Sequence, residues 1–202
     1  MTGNKLSGIT PVILAGGKSS RMGRNKSFVT LAGKPLIEVV LDTVTSVFLQ
    51  PPVIVTNSPE LYKYLNLTMA GDIFIDKGPL AGIHAGLTHS PTAYSFVFGC
   101  DMPFLDTEFV KFMVERLQDE QVLIPRCGKW VEPLHALYAH DCLPFIEEKL
   151  NHNICKIQAF FPGVRTGYVD INEYNYELDC FLNINSQADL EKAETVFLKC
   201  NK

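Results

Sequence analysis

Apolar positions along the first hundred residues fall into two alternating rhythms. The run Pro11-Val12-Ile13-Leu14 is apolar throughout, as a strand buried on both faces is, and Gly16-Gly17 breaks it into a loop. From Leu36 the spacing changes. Leu36, Ile37, Val40, Leu41, Val44, Val47 and Phe48 recur at helical intervals, with Pro35 just ahead, where a proline is tolerated. Pro51-Pro52 ends that helix. Val53-Ile54-Val55 reads as a second strand, a short helix follows from about Glu60 to Leu65, and Ile73-Phe74-Ile75 reads as a third strand. Gly78-Pro79 punctuates the loop before a helix over Leu80 to Leu87. Tyr94 to Phe98 is a fourth strand, ending at Gly99-Cys100-Asp101, and Asp106 caps a helix that runs to about Leu117. Strands and helices in alternation predict an α/β fold of three layers, α/β/α, with a mostly parallel central sheet.

After residue 120 the rhythm changes. Val122-Leu123-Ile124-Pro125 and Pro133 to Tyr138 read as strands joined through Gly128. Helices follow around Leu143 to Leu150 and Ile154 to Phe160, and Gly163 and Gly167 flank a last turn. Phe181-Leu182-Asn183-Ile184 reads as a late strand, and Ser186 caps a terminal helix with Asp189 at the capping-box position. No repeat, low-complexity tract or linker interrupts the chain, so residues 1–202 read as a single domain.

Composition narrows the function classes. With 202 residues, 47% of them hydrophobic and 20% charged, the chain is long and apolar enough for a sizeable core. A net charge of −4 argues against nucleic acid or an anionic membrane as the main partner. Six scattered cysteines without a C-x-x-C pair read as reduced thiols of a cytoplasmic protein. Met1 to Ile9 holds one lysine and no long apolar run, and no stretch approaches the roughly 20 apolar residues of a membrane span.

Against that acidic background the loop after the first strand stands out. Its glycines allow a phosphate close to the backbone, and its N–H groups are available to an anion. Lys18, Arg21, Arg24 and Lys26 place four cations within nine residues. They suit a triphosphate and the charge that grows on a leaving pyrophosphate. Neither G-x-x-x-x-G-K-[ST] nor G-x-G-x-x-G is present.

At these residues the chain resembles a known family. Leu14-Ala15-Gly16-Gly17…Ser20-Arg21-Met22-Gly23…Lys26 is similar to the phosphate loop of nucleotidyltransferases with a Rossmann-like fold, and within them of the molybdenum cofactor guanylyltransferases. Asp76 to Ile83, Gly99 to Phe104, Glu132 to Tyr138 and Phe181 to Leu190 resemble further segments of that family, in order, so the likeness covers nearly the whole chain. The resemblance implies transfer of GMP from GTP to the terminal phosphate of molybdopterin carrying molybdenum, with release of pyrophosphate. It implies magnesium as cofactor and GTP and molybdopterin as substrates, and makes a cofactor-delivery protein a plausible partner. It divides the chain into a nucleotide-binding part, about 8–120, and an acceptor-binding part, about 121–202.

Residue by residue, Leu14, Ala15, Gly16 and Gly17 match the nucleotide loop, and Lys26 its phosphate-binding lysine. Arg21 and Lys26 join Asp101 as the catalytic set. Asn57 and Asp76 match nucleotide contacts, and Asp101 matches both a nucleotide and a magnesium position. Physically, Asp101 and Asp76 both follow apolar strands, at the edge where open α/β sheets bind ligands. Asp101 equally suits a turn cap before Pro103, Asp76 an ordinary turn, and Asn57 a helix cap before Ser58-Pro59. Asn183 and Asn185 are candidates for the acceptor or the metal, with Asn185 also placed to cap the last helix. Gly78 and Gly82 either admit the base or shape the turn. None of His84, His89, His135, His140 and His152 is spaced for a metal. His135 fits either the acceptor pocket or the core, and Trp130 with Arg126 suits a planar pterin and its phosphate. Two other functions remain open: the same chemistry with CTP or on a sugar or alditol phosphate, and non-catalytic nucleotide binding.

Overall fold

The computed structural model describes residues 5–16, 25–174 and 181–200. The strands are β1 (Ile9–Leu14), β2 (Thr30–Leu31), β3 (Lys34–Pro35), β4 (Val53–Val55), β5 (Thr68–Ala70), β6 (Tyr94–Gly99), β7 (Val122–Cys127), β8 (Trp130–Val131), β9 (His135–Ala139) and β10 (Thr166–Asp170). The α-helices are α1 (Leu36–Val47), α2 (Pro79–His89), α3 (Thr107–Arg116), α4 (Leu143–Asn151) and α5 (Gln187–Cys200). One sheet runs in the order β10-β7-β9-β6-β1-β4-β5, with β8 paired on β7. β9 lies antiparallel between β6 and β7, β8 is antiparallel to β7, and the other pairings are parallel. β2 and β3 form a separate antiparallel pair.

Period-two alternation divides the core between the faces. Ile9 and Ile13 of β1 join Phe96, Phe98, α1 and α3 on one side. Val12 and Leu14 join Val53, Val55, α2 and α4 on the other. The apolar stripe of α1 is buried as its spacing predicts. Asp106 caps α3 by accepting the N–H groups of Glu108 and Phe109 at 2.7 and 3.0 Å. A third cluster seats α5 against Val29, Leu31 and Leu36, through Leu190 and Ala193. Ser186 and Asp189 cap α5: Ser186 Oγ accepts the Asp189 N–H at 3.2 Å, and Asp189 Oδ2 accepts the Asn185 N–H at 2.9 Å.

Several expected elements move. The third strand is Thr68–Ala70, paired with β4, and not Ile73-Phe74-Ile75. Ile73 and Ile75 are 54% and 64% exposed, while Phe74 packs edge-on against His84 at 5.0 Å. A three-residue edge strand needs little apolar surface, so the apolar triplet was the wrong signal. Asp76 therefore follows a turn, with φ at +61°, rather than a buried strand. Around Gly167 the chain forms β10, parallel to β7, in place of a turn. Ile157–Gly163 is a 3-10 helix where an ordinary helix over Ile154 to Phe160 was expected. Leu182 to Asn185 form no strand; the Ile184 N–H instead donates to the Asp101 carbonyl at 2.9 Å. Among the described residues no helix is long and apolar enough to cross a membrane.

Two core positions have measurable consequences. α2 lies so close on β1 that a Cβ on Gly86 would come within 2.4 Å of Val12 Cγ1. His135 is fully buried among Phe96, Phe98, Phe109 and Phe181, with ring centroids 5.2–5.6 Å away. Neither ring nitrogen has a hydrogen-bond partner among the described residues. The core reading of His135 holds, and the acceptor-pocket reading does not. Burial drives its pKa from 6.5 down to about 3.

Gly86→Ala should cost roughly 1–3 kcal/mol in urea unfolding, the usual range for overpacking; an unchanged midpoint contradicts the close approach. Because the folded His135 stays neutral while the unfolded chain protonates it, its share of stability is complete above pH 6.5 and drains away towards about pH 3. His135→Leu should therefore lose less stability than wild type over that interval, measured by denaturation at stepped pH. Equal acid slopes would refute the assignment.

Candidate active site

Parallel pairing builds the floor of the site. Leu14 and Gly99 are register partners in β1 and β6, so Ala15-Gly16 and Cys100-Asp101 leave the sheet side by side. From β1 the chain builds outward through β4 and β5, then returns to β6 on the other flank. That reversal is the switch point where open α/β sheets leave a crevice at the carboxyl ends of the strands. A cleft of about 650 Å³ opens there. Leu14, Ala15, Gly16, Lys26, Asn57, Asp76 and Asp101 all line it. Lys18, Arg24 and the sequence-expected Gly17 and Arg21 lie outside the described residues.

Lys26 and Asp101 come together although they are far apart in sequence. Lys26 begins a short 3-10 turn capped by the Asn25 side chain. Its Nζ donates to Asn185 Oδ1 at 2.6 Å. Burial raises the Asp101 carboxyl above the ordinary carboxylate range, and the Lys26 ammonium opposes that rise. Gly99 makes room for this carboxylate: a Cβ there would stand 2.8 Å from Asp101 Oδ1. Ser27 Oγ lies 3.2 Å from Cys100 Sγ, and burial pushes that thiol up to about 12.

The remaining expected residues divide. Asn185 reaches the site through Lys26, and its backbone N–H also belongs to the cap of α5. Asn183 donates to the Phe181 carbonyl at 3.3 Å, and its side chain works against the rise that burial causes in the Glu132 carboxyl. Asn57 is tied at both ends of its amide: Nδ2 donates to Asp72 Oδ2 at 2.8 Å, and Oδ1 accepts the Asp72 N–H at 2.9 Å. It is not the cap of the following turn, whose N-terminal residue Ser58 makes no side-chain cap bond. Asp76 stands exposed on the cleft wall just ahead of α2, whose N-cap Gly78 and first residue Pro79 also line the cleft.

Trp130 and Arg126 do not converge. Trp130 pairs with Cys127 and Arg126 with Val131, so their side chains leave opposite faces of the sheet. Trp130 meets Phe181 at 5.2 Å, whereas Arg126 lies over Tyr168 at 4.9 Å. A joint pterin clamp from these two is ruled out.

Glu132 was not singled out as a site residue. It is 9% exposed and accepts the Leu134 N–H at 3.0 Å. Burial raises its carboxyl, the Leu134 amide opposes this, the Asp101 charge adds to it and the Asn183 side chain opposes it. An acid placed before Pro133 in an otherwise apolar run was the available signal. Asp72, which lines the cleft through its pairing with Asn57, carried no signal at all. No group of three or more His, Cys, Asp or Glu among the described residues is arranged to hold a metal ion.

Comparison with known proteins agrees with this architecture. Residues 11–160 match the family model of the MobA-like NTP transferase domain. A probable molybdenum cofactor guanylyltransferase from Pelotomaculum thermopropionicum is 36% identical over 93% of this chain and 92% of its own. A molybdenum cofactor guanylyltransferase from Desulfosudis oleivorans is 38% identical over 92% of this chain and 94% of its own. The crystal structure of molybdopterin-guanine dinucleotide biosynthesis protein A from Archaeoglobus fulgidus superposes with a TM-score of 0.79 at 30% identity, covering 94% of this chain and 99% of that one. With its switch-point cleft and these relatives along nearly its full length, the chain belongs to the molybdenum cofactor guanylyltransferase family of nucleotidyltransferases.

Proposed function

We propose that the cleft binds GTP and transfers its GMP moiety to the terminal phosphate of molybdopterin carrying molybdenum. The observation that carries this reading is the meeting of Lys26, Asp101 and Asn185 beside Gly16 at the switch point. The family to which the chain belongs supplies the nucleotide and the acceptor. An acceptor phosphate oxygen attacks the α-phosphorus, a new P–O bond forms, the bond to the bridging β-oxygen breaks, and pyrophosphate leaves. An attacking phosphate monoester is already largely ionised near neutral pH, so no strong base is required. Positioning and charge stabilisation then do most of the work.

In this reading Leu14, Ala15, Gly16 and Gly17 hold the nucleotide. Lys26 and Arg21 face the triphosphate, and Asn185 keeps the Lys26 ammonium oriented. Asp76 is a nucleotide contact on the cleft wall, and Asn57 acts by fixing Asp72 beside it. Asn183 serves the acceptor side, which we assign to about 121–202 of a single domain. The partly buried Asp101 carboxylate fits magnesium, which takes one or two protein carboxylates and completes its shell with phosphate oxygens and water. Bound there, the ion would neutralise charge on the leaving pyrophosphate. Handing over a labile cofactor favours a delivery protein that docks directly. The free thiols Cys100, Cys127, Cys142 and Cys155 support a reducing, cytoplasmic setting.

A thermal-shift panel of GTP, CTP, ATP and UTP with magnesium tests the base. GTP at a hundredfold its dissociation constant should raise Tm by roughly 5–10 °C, with the others well below; stabilisation by CTP instead overturns the guanine assignment. Asp101→Asn should lower kcat at least about a hundredfold with Tm nearly unchanged. Full turnover in that variant removes Asp101 from the mechanism.

A further inference from the structure

Tyr62 belongs to none of the segments that carry the chemistry. It sits between two short 3-10 turns after β4, Pro59–Leu61 and Lys63–Leu65, and is fully buried. Its hydroxyl nevertheless touches both sides of the glycine-rich loop. It donates to the Ala15 carbonyl at 2.9 Å and accepts from Asn25 Nδ2 at 3.1 Å. Ala15 precedes Gly16, and Asn25 precedes Lys26. The same Asn25 side chain accepts the Ser27 N–H at 3.1 Å, and Ser27 Oγ donates to the Ala15 carbonyl at 3.4 Å. The Tyr62 ring is wedged against Phe28, with centroids 5.1 Å apart.

Peptide geometry turns this contact into an orienting one. A trans peptide points its C=O and its following N–H in opposite directions. No cis peptide occurs among the described residues. With the Ala15 carbonyl held inward by Tyr62, the Gly16 N–H is directed away from the core, and Gly16 lines the cleft. A backbone N–H aimed into a glycine turn is the donor that a phosphate oxygen needs. Across the loop, the bond to Asn25 sets the start of the turn that presents Lys26.

We propose that Tyr62 is a positioning residue for the nucleotide: its hydroxyl clasps both ends of the phosphate loop, aiming the Gly16 N–H and the Lys26 side chain at the triphosphate. Burial raises its pKa, so the hydroxyl keeps its proton and remains a donor at physiological pH. This inference rests on the reading of the cleft as a triphosphate site. It predicts a defect in nucleotide binding alone, since Tyr62 touches neither Asn183 nor Glu132 in any bond described above.

Tyr62→Phe removes the hydroxyl and keeps the ring. Tyr94→Phe serves as the control: its hydroxyl also donates to a backbone carbonyl, that of Glu120 at 3.1 Å, but from the amino end of β6, away from the cleft. The full-length wild type and both variants are titrated with GTP and magnesium by calorimetry, and KM is measured for each substrate. Tyr62→Phe should weaken GTP binding and raise the KM for GTP roughly three- to tenfold, the worth of one buried hydrogen bond, with the acceptor KM within about twofold. Tyr94→Phe should bind GTP within about twofold of wild type. Wild-type-like GTP binding by Tyr62→Phe overturns the clasp, and so does an equal loss in Tyr94→Phe. A wild-type chain that binds no GTP overturns the functional reading instead, and the clasp falls with it.

Discussion

Leu14 and Gly99 stand opposite each other at the carboxyl ends of two adjacent parallel strands, and the chemistry of the molecule is arranged around that pairing. The Cys100 N–H donates to the Leu14 carbonyl at 3.2 Å and the Ala15 N–H to the Val55 carbonyl at 2.9 Å, so the loop after β1 departs from a fixed platform between two neighbours. A slip of the register by one residue would send Asp101 to a different depth and Ala15 to the wrong face. The core on both sides of the sheet guards against this. Val12 locks against Gly86 on one face, and Ile13 packs with Phe98 and α1 on the other.

Charge is then assembled on this platform from distant parts of the chain. Asp101 is costly to desolvate, and Lys26 offsets part of that cost. Lys26 in turn is held by Asn185, and Ile184 beside it is bonded to the Asp101 backbone. The 184–185 pair is thus joined to the site by two bonds, from the Ile184 N–H to the Asp101 carbonyl and from Lys26 Nζ to Asn185 Oδ1. A nucleotidyl transfer needs its anions held still while charge moves to the leaving group, and a prearranged set of this kind costs little reorganisation.

The long patterns were legible in sequence. β1, α1, β6 and α3 are where continuous apolar runs or helical spacing place them, because each buries enough surface for periodicity to decide. Short edge elements were not legible. β5 is three residues with one buried side chain, and β10 carries a glycine at its second position. Phe181 to Ile184 has the apolar content of a strand but is taken up by core packing, with Phe181 in the His135 cage and Ile184 in the cluster under α5. The site divides in the same way. Ala15, Gly16 and Asp101 follow apolar runs that read as buried strands, so their place at the ligand-binding edge of the sheet was foreseeable. The bond from Lys26 to Asn185, the burial of Glu132 and the separation of Trp130 from Arg126 depend on tertiary placement and strand register, which local spacing does not encode.

Everything in this arrangement serves the movement of a guanylyl group in the switch-point cleft. Its most direct measurement is product analysis after incubating the full chain with GTP, magnesium and molybdopterin carrying molybdenum. Molybdopterin guanine dinucleotide and pyrophosphate should appear in equal amounts. Nucleotide binding without either product would contradict guanylyl transfer.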